Sequence, residues 1–273
     1  MPQIKKVIDS IVSLEKGTKV AVPLSGGLDS NAILFSCVDL GIDCVAFSFR
    51  MDSHESRDFK AARANAKALN VPFVEITIPS SVESIKADLI TLQKRLGCKK
   101  KTDFECSRVM LYLYEAVNRA GIKTIISGLG AEAVYLETRK AVVHYKHIPD
   151  QYRKMMKTRV GEKECLQLKQ HEYLTKEYDI RHVMPYVSAE MFDAFEGFSW
   201  DECMKGTFKK PAKRDYKDYL STEGVRVYSP QGYQLGDTGI AASFEQLLDS
   251  DWNTRDSKSV TAIYNDLVKG LLE

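Results

Sequence analysis

No stretch of the 273-residue sequence approaches the ~20 consecutive apolar residues that a membrane-spanning helix requires. The amino terminus, Met1-Pro2-Gln3-Ile4-Lys5-Lys6, has no long apolar core of the kind a secretory signal carries. These two absences lead to the expectation of a cytoplasmic chain with no membrane partner. No C-x-x-C pair occurs among Cys37, Cys44, Cys98, Cys106, Cys165 and Cys203, so neither a zinc ribbon nor a redox dithiol is signalled. His144, His147, His171 and His182 show no metal-ligand spacing and read as ordinary polar residues. Internal repeats and low-complexity segments are lacking too. The formal net charge is only +2, too small to demand nucleic acid and too small to exclude it, because local patches outweigh totals.

What is present is a globular composition, 44% hydrophobic and 28% charged, on a chain long enough for a sizeable core. Cys37 and Cys44 lie in apolar surroundings and read as core residues, whereas Cys98 and Cys106 flank a basic stretch and read as surface thiols. In the first half, strand and helix signals alternate. Ile4, Val7, Ile8, Ile11 and Leu14 fall on one helical stripe over residues 3–15, ended by Gly17. Short apolar runs at 19–24, 43–49, 71–78 and 123–126 have strand length. Helical patterns at 29–40, 56–69, 82–96 and 107–120 separate them. Such spacing predicts an α/β fold, a parallel sheet covered by helices on both faces, with ligands gathering at the carboxyl ends of its strands. After about residue 137 the rhythm is lost. The basic stretch 140–163 reads as a solvated helix face or a loop, and helical patterns follow near 163–178, 188–196, 211–220, 240–249 and 257–272. The expected organisation is an α/β core over 1–137 and a mostly helical region over 138–273.

One segment carries chemistry. Ser25-Gly26-Gly27-Leu28-Asp29-Ser30 follows a predicted strand and opens a predicted helix. Glycines let the backbone turn sharply and bring its N–H groups close to a phosphate. The helix start adds unpaired N–H donors and the positive end of a dipole. Ser25 and Ser30 can offer hydroxyls, while Asp29 makes sense as a Mg²⁺ ligand rather than a phosphate contact. Neither a Walker loop nor a dinucleotide fingerprint is present.

The segment resembles the pyrophosphate loop of the PP-loop ATP pyrophosphatases, and within them the synthetase domain of asparagine synthetase. Phe47-Ser48-Phe49 with Arg57–Arg63, Ile126–Glu132 and Val183–Val187 are similar to three further segments of that domain. The resemblance implies an adenine nucleotide alpha hydrolase-like fold that binds ATP and Mg²⁺ and cleaves ATP to AMP and pyrophosphate. A substrate carboxylate would be adenylated for attack by ammonia or an amine. It implies that Leu24 and Phe49 flank the adenine, that Ser25, Gly26, Gly27, Leu28, Asp29 and Ser30 hold the phosphates, and that Ser127 and Gly128 approach the ribose and adenylate. Asp29 and Glu132 would hold the metal. A cation assisting pyrophosphate departure is sought among Lys169, Lys176 and Lys213, with the run from Lys209 to Arg214 as its context, and Arg108 is the candidate contact for an acidic substrate group.

Leu129 and Ala133 stand where the family carries acids, so the substrate side departs from its pattern. The family's N-terminal glutaminase domain has no counterpart in the sequence, which leads to the expectation of nitrogen supplied free or by a separate protein. Two other readings stay open at this stage: a nucleobase or nucleic-acid modifier that adenylates a base carbonyl, and a nucleotide-binding module without turnover.

Overall fold

In the computed structural model, strands β1 (Val20–Pro23), β2 (Cys44–Met51), β3 (Phe73–Ile78), β4 (Thr124–Ile126) and β5 (Arg181–Val183) form one parallel sheet. Their order is β3-β2-β1-β4-β5. The structure describes residues 4–138, 140–204, 210–222, 224–227, 237–245, 247 and 269–270. Lys209 and nearly all of the helical pattern at 257–272 lie outside the described residues.

Alternation along the strands divides the core between the two sheet faces. Val20, Val22, Ala46 and Ile126 point to one face, packing with α1 (Ile4–Val12), α2 (Leu28–Asp39) and α3 (Arg57–Ala68). Ala21, Val45, Phe47 and Ile125 point to the other, packing with α4 (Val82–Leu96) and α5 (Lys101–Arg119). Serines define two helix starts: Ser56 accepts from the Phe59 amide and Ser81 from the Ser84 amide. Gly97, at φ 64°, ends α4 in the left-handed region that favours glycine.

Three expectations need correction here. The first helix stops at Val12, and Ser13–Glu15 winds as a 3₁₀ turn. Its tighter pitch takes Leu14 off the stripe, leaving it 80% exposed. Helix α5 starts at Lys101, before the residues around 107 where apolar periodicity begins. Cys98 and Cys106 are buried, not on the surface, and burial pushes the Cys98 thiol up to about 11, away from reactivity.

The second half contributes α6 (Ala131–Val134), α7 (Pro149–Gly161), α8 (Leu168–Tyr178), α9 (Ala189–Ala194), α10 (Trp200–Met204), α11 (Lys210–Asp215), α12 (Lys217–Leu220) and α13 (Ile240–Glu245). Most of the basic stretch therefore forms helix α7, with Tyr152, Arg153 and Met156 turned inward. Strand β5 also arises here, where the sequence suggested only a turn. Tyr152, Tyr186, Phe192 and Tyr216 share one cluster with Val22 and Ile33, so a single core crosses residue 137.

Candidate functional site: a nucleotide cup at the switch point

The chain leaves β1 for β2 and β3 on one side and returns to β4 on the other. A crevice opens at such a reversal, beyond the carboxyl ends of the strands. Two loops enter it: residues 24–27 after β1, and residues 127–130 after β4.

The β1 loop is held from within. The Ser25 amide donates to Ser30 Oγ at 3.0 Å, the two hydroxyls meet at 3.1 Å, and the Gly27 amide donates to Ser25 Oγ at 3.1 Å. Both hydroxyls expected on a phosphate thus also clamp the loop. Asn31, fully buried, donates from its amide to the carbonyls of Ser25 at 2.8 Å and Gly27 at 2.7 Å. Asn31 is fixed in turn by Asn65, whose amide donates to Asn31 Oδ1 at 2.9 Å and which also bonds the Arg226 backbone. Neither asparagine was singled out from sequence. An amide side chain three residues into a helix after a glycine turn is the signal that could have found the first. No side chain caps the start of α2, so its first amides and dipole end face the crevice.

The β4 loop meets this turn backbone to backbone. A Cβ on Gly128 would lie 2.9 Å from the Asp29 carbonyl carbon and 3.0 Å from the Ser30 nitrogen. Only glycine permits that approach, and it brings the β4 loop at Gly128 against Asp29 and Ser30. Ser127 Oγ lies 2.7 Å from His182 Nε2 of β5 and accepts from the Leu129 amide at 3.4 Å. Leu24 is buried on the α2 face at the end of β1, and half-buried Phe49 packs on the opposite face of β2.

Acidic groups at the cup fall in two places. Asp29 and Glu137 both act on buried Tyr135 and Tyr186, whose hydroxyls are driven well above the usual tyrosine range, first by burial and then by their charged and polar neighbours. Glu132 is exposed on the first turn of α6, and its field reaches Tyr152 instead. Hard carboxylate oxygens suit Mg²⁺, and the candidates here are Asp29 at the lip and Glu137, which acts on the same two tyrosines; among the described residues no group of three or more His, Cys, Asp or Glu side chains gathers to hold a metal.

The remaining candidates lie elsewhere. Arg108, the candidate for an acidic substrate group, is fully buried, with Nε 2.7 Å from Asp88 of α4 and Nη2 donating to the Pro79 carbonyl at 2.7 Å, while Nη1 has no hydrogen-bond partner among the described residues. Lys169 is exposed on α8, and Lys176, also exposed, pairs with Glu172 at 3.1 Å. Lys213 is half-buried on α11, which packs against α1 and α2.

A parallel sheet of this order, with a serine–glycine turn feeding a helix at its switch point, defines the PP-loop class of nucleotide-binding folds, adenine nucleotide alpha hydrolase-like. The chain belongs to the asparagine synthase family, whose family model matches residues 3–218, and is of ATP pyrophosphatase type. No curated protein matches it. Among solved structures it is similar to the U34-tRNA thiolase NcsA from Methanococcus maripaludis, at 12% identity and a TM-score of 0.47, covering 98% of this chain and 76% of that one. It is also similar to NMN synthetase from Francisella tularensis, at 16% identity and a TM-score of 0.38, covering 84% of this chain and 97% of that one. Among the described residues no helix is long and apolar enough to cross a membrane.

Proposed function

We propose that the chain cleaves ATP between its α- and β-phosphates and adenylates the carboxylate of a small molecule, which ammonia or an amine then attacks to form an amide. The observation that carries this reading is the backbone contact at Gly128, which brings the β4 loop against the turn after β1. In the crevice, the amides at the start of α2 stabilise charge building on the departing pyrophosphate. Gly26, Gly27 and Leu28 shape the turn around the phosphates. The adenine lies beyond the carboxyl ends of β1 and β2, where Leu24 and Phe49 stand on opposite faces of the sheet, and Ser127 and Gly128 hold the ribose and adenylate. Mg²⁺, when bound to Asp29 with Glu132 or Glu137, supplies neutralisation of phosphate oxygens. A lysine, sought among Lys169, Lys176 and Lys213, would steady the leaving group. The nitrogen arrives free or from a separate donor protein.

Exchange of labelled pyrophosphate into ATP, run with pools of carboxylic acids, amines and nucleosides, tests the reading. Carboxylates should support exchange, and Asp29→Ala should lower it roughly 10²–10³-fold. Exchange unaffected by that substitution would remove the site assignment. Support from nucleosides alone would move the adenylated atom to a base carbonyl, and no exchange with any pool would leave a binding module.

A further inference from the structure

Behind Ser127 runs a chain of hydrogen bonds that the reaction above does not use. Ser127 Oγ meets His182 Nε2 at 2.7 Å, and His182 Nδ1 meets the Tyr114 hydroxyl at 3.1 Å. The same hydroxyl meets His171 Nδ1 at 3.2 Å. Among the described residues His171 Nε2 is buried without a hydrogen-bond partner, and His171 is among the residues lining a cavity of about 550 Å³ between α8 and β5 that also touches His182, Lys163 and Lys176. On the near side of that cavity Val187 packs against Gly130 of the β4 loop. The chain therefore joins the nucleotide loop to a separate hollow.

Every member is held neutral. Burial lowers His171 to about 4, holds His182 well below the usual histidine range with help from His171, and raises the Tyr114 phenol. A neutral imidazole carries one N–H, and a phenol has one proton to give. The Tyr114 hydroxyl, shared by two Nδ1 atoms, has one proton and cannot donate to both rings; where it donates to one, it accepts from the other. All the bonds then point the same way along the chain, in one of two directions.

Without nucleotide, Ser127 Oγ accepts from the Leu129 amide, and its own hydrogen is best spent on His182 Nε2. That sets His182 as the Nδ1–H tautomer and His171 as the Nε2–H tautomer. A nucleotide phosphate or ribose oxygen at Ser127 takes the serine hydrogen instead. His182 must then donate from Nε2, Tyr114 must donate to His182, and His171 must donate from Nδ1. The chain carries the same number of protons in both arrangements, the one given up at His171 Nε2 matching the one gained at Ser127, and because His171 Nε2 is buried that exchange with solvent requires a transient opening beside the ring.

We propose that His182 is a positioning residue that aims the Ser127 hydroxyl at the nucleotide, and that Tyr114 and His171 lock its tautomer, so that both rings exchange tautomers when the cup fills. This rests on nucleotide binding at Ser127, as in the function proposed above. The test is ¹⁵N NMR of the histidine side chains in the full chain, with and without the non-cleavable ATP analogue α,β-methylene-ATP and Mg²⁺, with its binding followed in parallel by calorimetry. Expected is an interchange of pyrrole-like and pyridine-like nitrogens on both His171 and His182. In Tyr114→Phe, His182 should still change and His171 should not; the wild-type measurement decides if that variant fails to fold. Binding with both tautomers unchanged overturns the relay and spares the proposed function. Absence of binding overturns both.

Discussion

Around the β1 loop the fixing hydrogen bonds are short in sequence: Ser25 to Ser30 spans five residues, and Asn31 reaches back six and four. Around the β4 loop they are long. Ser127 bonds His182 across 55 residues, and Tyr114 bonds His182 across 68 and His171 across 57. The first loop is a local turn that its own residues can shape early in folding. The second takes its shape only once β5 and α8 have docked, so its geometry reports on the tertiary fold. Both converge on one backbone contact, and that contact is where the comparison breaks most easily.

Gly128→Ala should have the largest effect. The added Cβ meets backbone atoms of Asp29 and Ser30 at 2.9–3.0 Å, and backbone cannot swing aside as a flexible side chain would. The loops must part, at a cost of about 1–3 kcal/mol in stability. Turnover depends on both loops at once and should fall roughly 10²-fold or more as the reacting groups lose alignment. Stability followed by urea unfolding and turnover followed by pyrophosphate release will separate the two. Unchanged turnover would show that the loops act independently.

Acid is expected to attack the β4 side selectively. His171 has a folded value of about 4 against its usual 6.5 because burial disfavours its charged form. Its contribution is fully present above the unfolded value and is lost as pH falls from ~6.5 to ~4, where the unfolded chain takes up a proton that the folded chain refuses. For His171 alone this amounts to on the order of 3 kcal/mol. His182 shifts in the same direction and adds to it. Urea midpoints at pH 7.5 and pH 5 should therefore differ widely in the wild type and less in His171→Gln. Equal pH dependence in the two would mean that the ring is not held neutral.

The same contrast explains what the sequence revealed. The sheet, its helices and the β1 loop were legible because each is written in a local pattern: alternating Val and Ala in β1, a glycine pair, serines before helices. Gly128 was legible through resemblance alone, since nothing nearby in sequence shows which backbone it touches. β5 was missed because Arg181-His182-Val183 is too short and too polar to show alternation. The surroundings of Arg108 were hidden for a related reason: a cation at a helix start gives no sign of Asp88, on a separate helix, 2.7 Å away. Glu137 and the two histidines owe part of their surroundings to residues far off in sequence: Glu137 shares Tyr135 and Tyr186 with Asp29, and both histidines bond Tyr114.

Asn31→Ala comes next in size. It removes two bonds to the β1 loop and strips Asn65 of a buried partner, costing about 1–3 kcal/mol. Because the loop is held mainly by near neighbours, the rest of the sheet should stay intact. Hydrogen exchange should quicken in residues 24–31 and stay unchanged in β5. Exchange that rises equally in both would erase the distinction between a local and a docked loop.

Ser25→Ala is the gentlest probe and asks what the hydroxyl is for. It deletes the acceptor of the Gly27 amide and the partner of Ser30 Oγ, but it leaves the Ser25 amide donating to Ser30. A half-exposed hydroxyl with neutral partners contributes about 0.5–1.5 kcal/mol. If Ser25 serves chiefly to shape the turn, the loss should appear as a weaker KM for ATP with kcat nearly preserved, since a less ordered loop binds ground state and transition state equally poorly. A fall in kcat at unchanged KM would instead put the hydroxyl on an oxygen that gains charge during cleavage. In that event the β1 loop acts on the reaction through side chains as well as through its backbone, and the near-neighbour bonds seen here are a resting arrangement that ATP displaces.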